Sequence, residues 1–82
     1  MSSIHVLYFA ACRERAGVGS DDVAVAAGAT VDDVVRAIVA LRPSLSAVAK
    51  QCRVAVNQAF ARSTDVVPDG AEVALIPPVA GG

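Results

Sequence analysis

Apolar side chains recur at every second position over residues 4–9, with Ile4, Val6 and Tyr8 in one set and His5, Leu7 and Phe9 in the other. Both sets are mostly apolar, which predicts a strand at the centre of a sheet, with one side on the core and the other covered or facing a partner. Good helix formers follow over residues 10–16 and stop at Gly17, so a short helix and a turn are expected. Val23 and Val25 alternate with Asp22, Ala24 and Ala26, predicting a second strand over 21–26 that returns beside the first. Thr30 then precedes Val31, Asp32 and Asp33, placing a capping hydroxyl and two carboxylates where a helix N-terminus favours them. From there Val31, Val34, Val35, Ile38 and Leu41 recur at helical spacing, and the main helix ends at Arg42 before Pro43.

Residues 44–51 predict a short second helix with Leu45, Val48 and Ala49 turned inward. A third strand over 52–56 carries Val54 and Val56 on one face, Asn57-Gln58 turns the chain, and residues 60–61 form a very short strand. Pro68-Asp69-Gly70 is a turn, and the last strand, 72–76, sets Val73 and Leu75 against Ala74 and Ile76. One long helix covers only one face of such a sheet, so the class is α+β. With Val6, Val73 and Leu75 toward the helix, Leu7, Phe9, Ala74 and Ile76 fall on the open face with Phe60 nearby, as a candidate docking surface. Pro77-Pro78 forbid a continuing helix or central strand, which divides the chain into a body, 1–76, and an extended flexible tail, 77–82. Six residues at about 3.3 Å each reach roughly 20 Å. Val79, Ala80, Gly81 and Gly82 make that tail slim, and the paired glycines present the terminal carboxylate without a Cβ to block close approach.

Composition adds bounds rather than chemistry. The 82 residues suit one domain, and their apolar content is ample for a core, although with one Tyr, two Phe and no Trp that core has few large anchors. Acidic and basic residues nearly balance and the basic ones do not cluster, which argues against nucleic acid as a partner. No apolar run is long enough to span a membrane, the N-terminus lacks the pattern of a signal peptide, and a cytoplasmic location is expected. Cys12 and Cys52 stand apart, outside any metal-ligand spacing, and read as reduced structural thiols, with a disulfide between them left open. Gly17-Val18-Gly19 lacks the further glycine and the lysine of a phosphate loop and reads as a plain turn. His5 has no acid, serine or cysteine partner nearby in sequence, so a general-base role is not expected. Arg13 admits two readings, an ion pair with a partner's acid or a solvated helix residue.

Tyr8-Phe9-Ala10 with Arg13-Glu14 and Gly17, then Ala55-Val56-Asn57-Gln58, and above all Asp69-Gly70-Ala71-Glu72-Val73-Ala74 running into Pro77-Pro78-Val79-Ala80-Gly81-Gly82, resemble the ubiquitin-like sulfur carriers, in particular the MoaD-type small subunits of molybdopterin synthase. The resemblance covers essentially the whole chain, and its terminal motif is the specific one. It implies a ubiquitin-like β-grasp, a mixed sheet of four to five strands packed on one main helix. It also implies chemistry on Gly82: adenylation by an ATP-using, E1-like (MoeB-type) enzyme, replacement of AMP by sulfur from a cysteine desulfurase or rhodanese, and delivery of the thiocarboxylate to cyclic pyranopterin monophosphate. Gly81 and residues 77–80 would then enter the large (MoaE-type) subunit, while Leu7, Phe9, Arg13, Phe60 and Ile76 bind it, in a heterotetramer of two small and two large subunits. In that scheme the chain itself supplies no catalytic residue, metal or bound cofactor. A carrier for another pathway (thiamine thiazole, cysteine or tRNA thiolation), a protein modifier joined through Gly82, and a binding module with an inert tail are the competing readings.

Overall fold

Three residues on each side of the central strand's pleat decide the architecture. In the computed structural model, which describes residues 1–78, β1 (Ser2–Tyr8) buries Ile4, Val6 and Tyr8 on one face and turns Ser3, His5 and Leu7 to the other. It lies between β2 (Ser20–Val25), which is antiparallel to it, and the last strand, β5 (Glu72–Ile76), which runs parallel. The hairpin of β3 (Arg53–Val56) and β4 (Ala59–Ala61) extends the sheet past β5, giving the order β2-β1-β5-β3-β4. The sheet is therefore mixed and five-stranded, as the resemblance implied.

The helix α2 (Val31–Leu41) covers one face, with Val31, Val34 and Ile38 packed against Ile4, Val6, Val73 and Leu75. Its start is fully partnered. Thr30 Oγ1 accepts from Asp33 N at 3.2 Å and Asp33 Oδ2 from Thr30 N at 3.0 Å, a reciprocal capping box. The next free donors, Val31 N and Asp32 N, reach Asp65 O and Ser63 O in the β4–β5 connection. That connection is thereby fixed along the helix N-terminus, and Val67 is buried beneath it.

Several boundaries differ from the sequence reading, each for a local reason. Phe9 leaves the first strand to become the N-cap of α1 (Ala10–Ala16), which ends at Gly17 with φ 77°. The second strand shifts back by one residue because Ala26 O accepts the turn bond from Ala29 N. The helix expected over 44–51 splits into a 3-10 turn, Pro43–Leu45, and one α turn, α3 (Ser46–Ala49). Cys52 precedes the third strand rather than opening it, since its N–H turns back to Ala49 O.

Under the end of α2 lies a polar cluster that connects three elements. Tyr8 on β1 donates its hydroxyl to Asp21 Oδ2 at 2.8 Å, and Arg42 at the helix C-cap donates through Nε and Nη2 to the two oxygens of Asp21, at 2.9 and 2.8 Å. The forked geometry of the guanidinium matches the carboxylate. Arg42 is the main cause that holds the Asp21 carboxyl below its usual range, while burial, then Asp21, pushes the Tyr8 phenol well above its ordinary 10.0.

Two outcomes follow for stability. Because the folded-state Tyr8 value is raised, its contribution is complete below pH ~10 and is lost as pH climbs toward the raised value. Tyr8 is the single tyrosine, so tyrosinate absorbance should stay silent in the folded chain past pH 10 and appear together with unfolding; a simple titration near pH 10 with the fold intact contradicts the network. At the β3–β4 turn, Asn57 and Gln58 both have positive φ, 50° and 70°, as a two-residue type I′ hairpin requires. Gln58→Gly should therefore raise stability by ~0.5–1 kcal/mol, a Tm gain of several degrees by thermal unfolding.

Candidate functional site

On the face of the sheet away from α2, the register lines up one cross-strand row: Ser20, Leu7, Ala74, Ala55 and Phe60. The next row toward the C-terminal end of β5 pairs Ile76 with Arg53, and Phe9 follows Tyr8, whose parallel partner is Leu75. The opposite end of the same face is polar, with Asp22, His5 and Glu72 in register. The apolar part is thus concentrated at the end where β5 gives way to Pro77. Phe9 and Phe60 are 47% and 60% exposed, enough for each to present a ring to another surface, while Leu7 and Ile76 are half-buried. The Arg53 guanidinium stacks 3.9 Å from the centre of the Phe60 ring and sets a cation at the margin of the patch. The expected face assignment holds: Val6, Val73 and Leu75 are fully buried under the helix.

The chain's exit is framed by these residues. Pro77 is half-buried and Pro78 exposed; Val79, Ala80, Gly81 and Gly82, which the sequence reading made central, lie outside the described residues. Beside the exit, Ala10 is held at φ 47°, a left-handed conformation rare for alanine, where the chain turns from β1 into α1. Nothing in the residue type signalled that turn.

The remaining candidates are dispersed. Arg13 is exposed on α1 with its guanidinium beside Gly19, on the α1–β2 connection. His5 does have an acid partner, contrary to the sequence reading: Asp22 sits opposite it across β1 and β2, with Nδ1 and Oδ1 2.8 Å apart. Strand pairing created the contact, which linear spacing could not reveal. Both side chains are exposed, and such a pair contributes little. Asp33 is used in the capping box and Asp32 pairs with Arg36 one turn on, so the two acids act as helix-start groups. Cys12 and Cys52, forty positions apart, meet with their sulfurs 3.1 Å apart. Burial first, then the neighbouring Cys12, pushes the Cys52 thiol up to about 12. On the helix side a groove of about 570 Å³ runs between α2 and the β3–β4 edge, floored by Val31, Val35, Val39 and Val54. The sequence offered no signal for it, because its walls come from distant segments.

A mixed sheet in the order found, wrapped on one main helix, with an apolar patch around the exit of the last strand, defines a ubiquitin-like β-grasp protein. The ThiS family model matches residues 6–82, and the chain belongs to that family. It is 44% identical over 81 residues to the molybdopterin synthase sulfur carrier subunit of Chlamydomonas reinhardtii, covering 96% of this chain and 98% of the relative. The protein of the same name from Mycobacterium tuberculosis is 39% identical over 83 residues, with both chains covered in full. Among solved structures, Haloferax volcanii small archaeal modifier protein 1 superimposes with a TM-score of 0.89 at 31% identity, over 96% of this chain and all of that one.

Phe9 has the extended backbone of an N-cap, φ −124° and ψ 150°, but caps nothing with its side chain. Phe9→Asp adds a capping carboxylate worth about 1 kcal/mol, which offsets the partial burial lost. Its Tm should stay within ~4 °C of the parent, whereas Leu75→Asp, a charge placed at a fully buried site, should unfold the chain. Circular dichroism melts of both variants separate the two faces.

Proposed function

We propose that this chain is the sulfur-carrier subunit of a molybdopterin synthase and that its reactive group is the carboxylate of Gly82. The observation that carries the proposal is the Gly81-Gly82 terminus, found in a chain matched end to end by relatives named as such carriers. A carboxylate is a poor acyl donor because its leaving group is oxide. Adenylation by an ATP-using E1-like enzyme replaces that leaving group with AMP, and persulfide sulfur from a cysteine desulfurase or rhodanese then displaces AMP to give a thiocarboxylate. The thiocarboxylate donates its sulfur to cyclic pyranopterin monophosphate inside the large subunit, where the catalytic groups reside. Two transfers complete a dithiolene.

The apolar row through Leu7 and Phe60, with Phe9 and Ile76 at the exit, is the surface offered to the large subunit, Arg53 stands at its margin, and Arg13 on α1 supplies a separate cationic contact. Residues 77–82 then enter the large subunit's active site, and two small and two large subunits assemble in the cytoplasm. In this reading the folded body binds and aims, and the reacting atom belongs to the terminus.

A second reading is favoured by the similarity to the Haloferax volcanii modifier: Gly82 joined to target lysines as an isopeptide. Intact-mass measurement on the chain purified from its own host discriminates between them. Replacement of one terminal oxygen by sulfur supports the carrier, and a ladder of heavier conjugates supports the modifier. Deleting Gly82, or adding one residue after it, should abolish sulfur transfer with Tm unchanged, and Phe9→Asp should weaken large-subunit binding at least tenfold; sulfur transfer that survives loss of Gly82 would rule the mechanism out.

A further inference from the structure

The two cysteines occupy positions that the carrier chemistry does not use. Cys12 is fully buried on α1, and Cys52 is partly buried at the end of the three-residue connection, 50–52, between α3 and β3. Their sulfurs are 3.1 Å apart, closer than two unbonded sulfurs normally rest, and about one ångström more brings them to bonding distance. Cys52 is also on the wall of the groove between α2 and the β3–β4 edge, so one member of the pair faces a cavity and the other lies behind it. Arg36, Lys50 and Arg53 line that groove against one acid, Asp32, which is paired with Arg36, so its lining carries a net positive charge, while Val35 and Val39 contribute apolar surface. An anionic small molecule is drawn to such an opening and meets Cys52 before Cys12.

We propose that Cys12 and Cys52 form an intramolecular disulfide by exchange with an anionic small-molecule disulfide admitted through this groove. In the first step the Cys52 sulfur attacks one sulfur of the reagent, the reagent's S–S bond breaks, and one thiol leaves carrying the proton from Cys52. In the second, the Cys12 sulfur attacks the Cys52 sulfur of the mixed disulfide and expels the second thiol, which takes the proton from Cys12. Two protein thiols are oxidised and one reagent disulfide is reduced to two thiols. The second step is intramolecular between groups already in contact, so it outruns the first. The first is slow, because Cys52 is held protonated, and the pair is therefore insensitive to brief exposure.

The bond ties α1 to the residue that leads into β3. Those two segments flank the end of β5, since Ile76 pairs with Arg53 and Leu75 with Tyr8. Closing the bond fixes the distance between Phe9 and Arg53, the two sides of the exit.

The test uses the full chain with glutathione disulfide in excess, followed by intact-mass and peptide mapping under non-reducing conditions. The expected result is loss of two hydrogens, a Cys12–Cys52 linked peptide, no lasting glutathione adduct, and a Tm higher by roughly 10 °C that dithiothreitol reverses. Cys12→Ala should stop at one glutathione on Cys52, and Cys52→Ser should not react while folded. The proposal is overturned if the parent chain accumulates the single adduct, forms covalent dimers, or stays reduced while the unfolded chain reacts. Because the parent chain alone gives a decisive answer, a failure of either variant to fold leaves the test intact.

Discussion

The parallel ladder between the first and last strands is the constraint on which the rest of the structure depends. His5 pairs with Glu72 and Tyr8 with Leu75, so both strands leave the sheet at the same end. Parallel neighbours cannot be joined by a tight turn, and here nearly the whole chain lies between them: a hairpin partner, the covering helix and the β3–β4 pair. Reversing the sense of this one pairing would carry Pro77 to the polar end, beside His5 and Asp22. The direction of β5 therefore selects which residues surround the exit, before any side chain contributes. The same pairing is long-range in sequence, so closing it costs more chain entropy than a local hairpin does.

The two-residue period of the strands lets a small chain use each of them twice. Tyr8, Leu75 and Val54 make one row beneath α2, and Leu7, Ala74, Ala55 and Phe60 make the neighbouring row on the other side. Alanine occupies the two central positions of that outer row, and bulk stands at its margins. The open face is consequently shallow in the middle and raised at Leu7 and Phe60. Stability rests on the inner rows and on the Tyr8–Asp21–Arg42 cluster, which is on the helix side. On the outer row Phe60 is exposed and carries correspondingly little of that stability, whereas Ala55 is buried.

Local order was legible in the sequence, and contacts between distant segments were not. The helix start at Thr30, the stop at Gly17, the Asn57-Gln58 turn and the last strand at Glu72–Ile76 all follow from near neighbours, and each is found. The division of Val73 and Leu75 from Ala74 and Ile76 follows from alternation alone. By contrast, the pairing of Asp21 with Arg42, of His5 with Asp22, and of Cys12 with Cys52 depends on register and on the path of the chain, which no local pattern encodes. The left-handed Ala10 was equally hidden, since alanine is the residue type that best predicts a helix interior. The placement of Leu7, Ala74 and Ile76 on the face away from α2 was legible as far as strand alternation sets it. The cationic margin of that face at Arg53 was missed because that residue acquires its role only through stacking on Phe60.

The departure of the chain after Ile76 is determined from three sides at once. Pro77 and Pro78 carry no N–H, so neither can continue the ladder as a donor. On one flank, β1 has already stopped: Phe9 becomes a helix cap and Ala10 bends the chain away, leaving no extended partner alongside the prolines. On the other flank, β3 begins only at Arg53, and the N–H of the residue before it is turned back to Ala49 O. Either proline alone would leave the possibility of an edge pairing through its carbonyl. With both neighbours withdrawn, that carbonyl has no strand to meet, and the sheet ends at Ile76 for reasons independent of the residues that follow. A left-handed alanine costs about 1–2 kcal/mol, a strain that persists only where the surrounding structure over-determines it. Here the bend it permits is what withdraws β1, which ties that strain directly to the clearing of the exit.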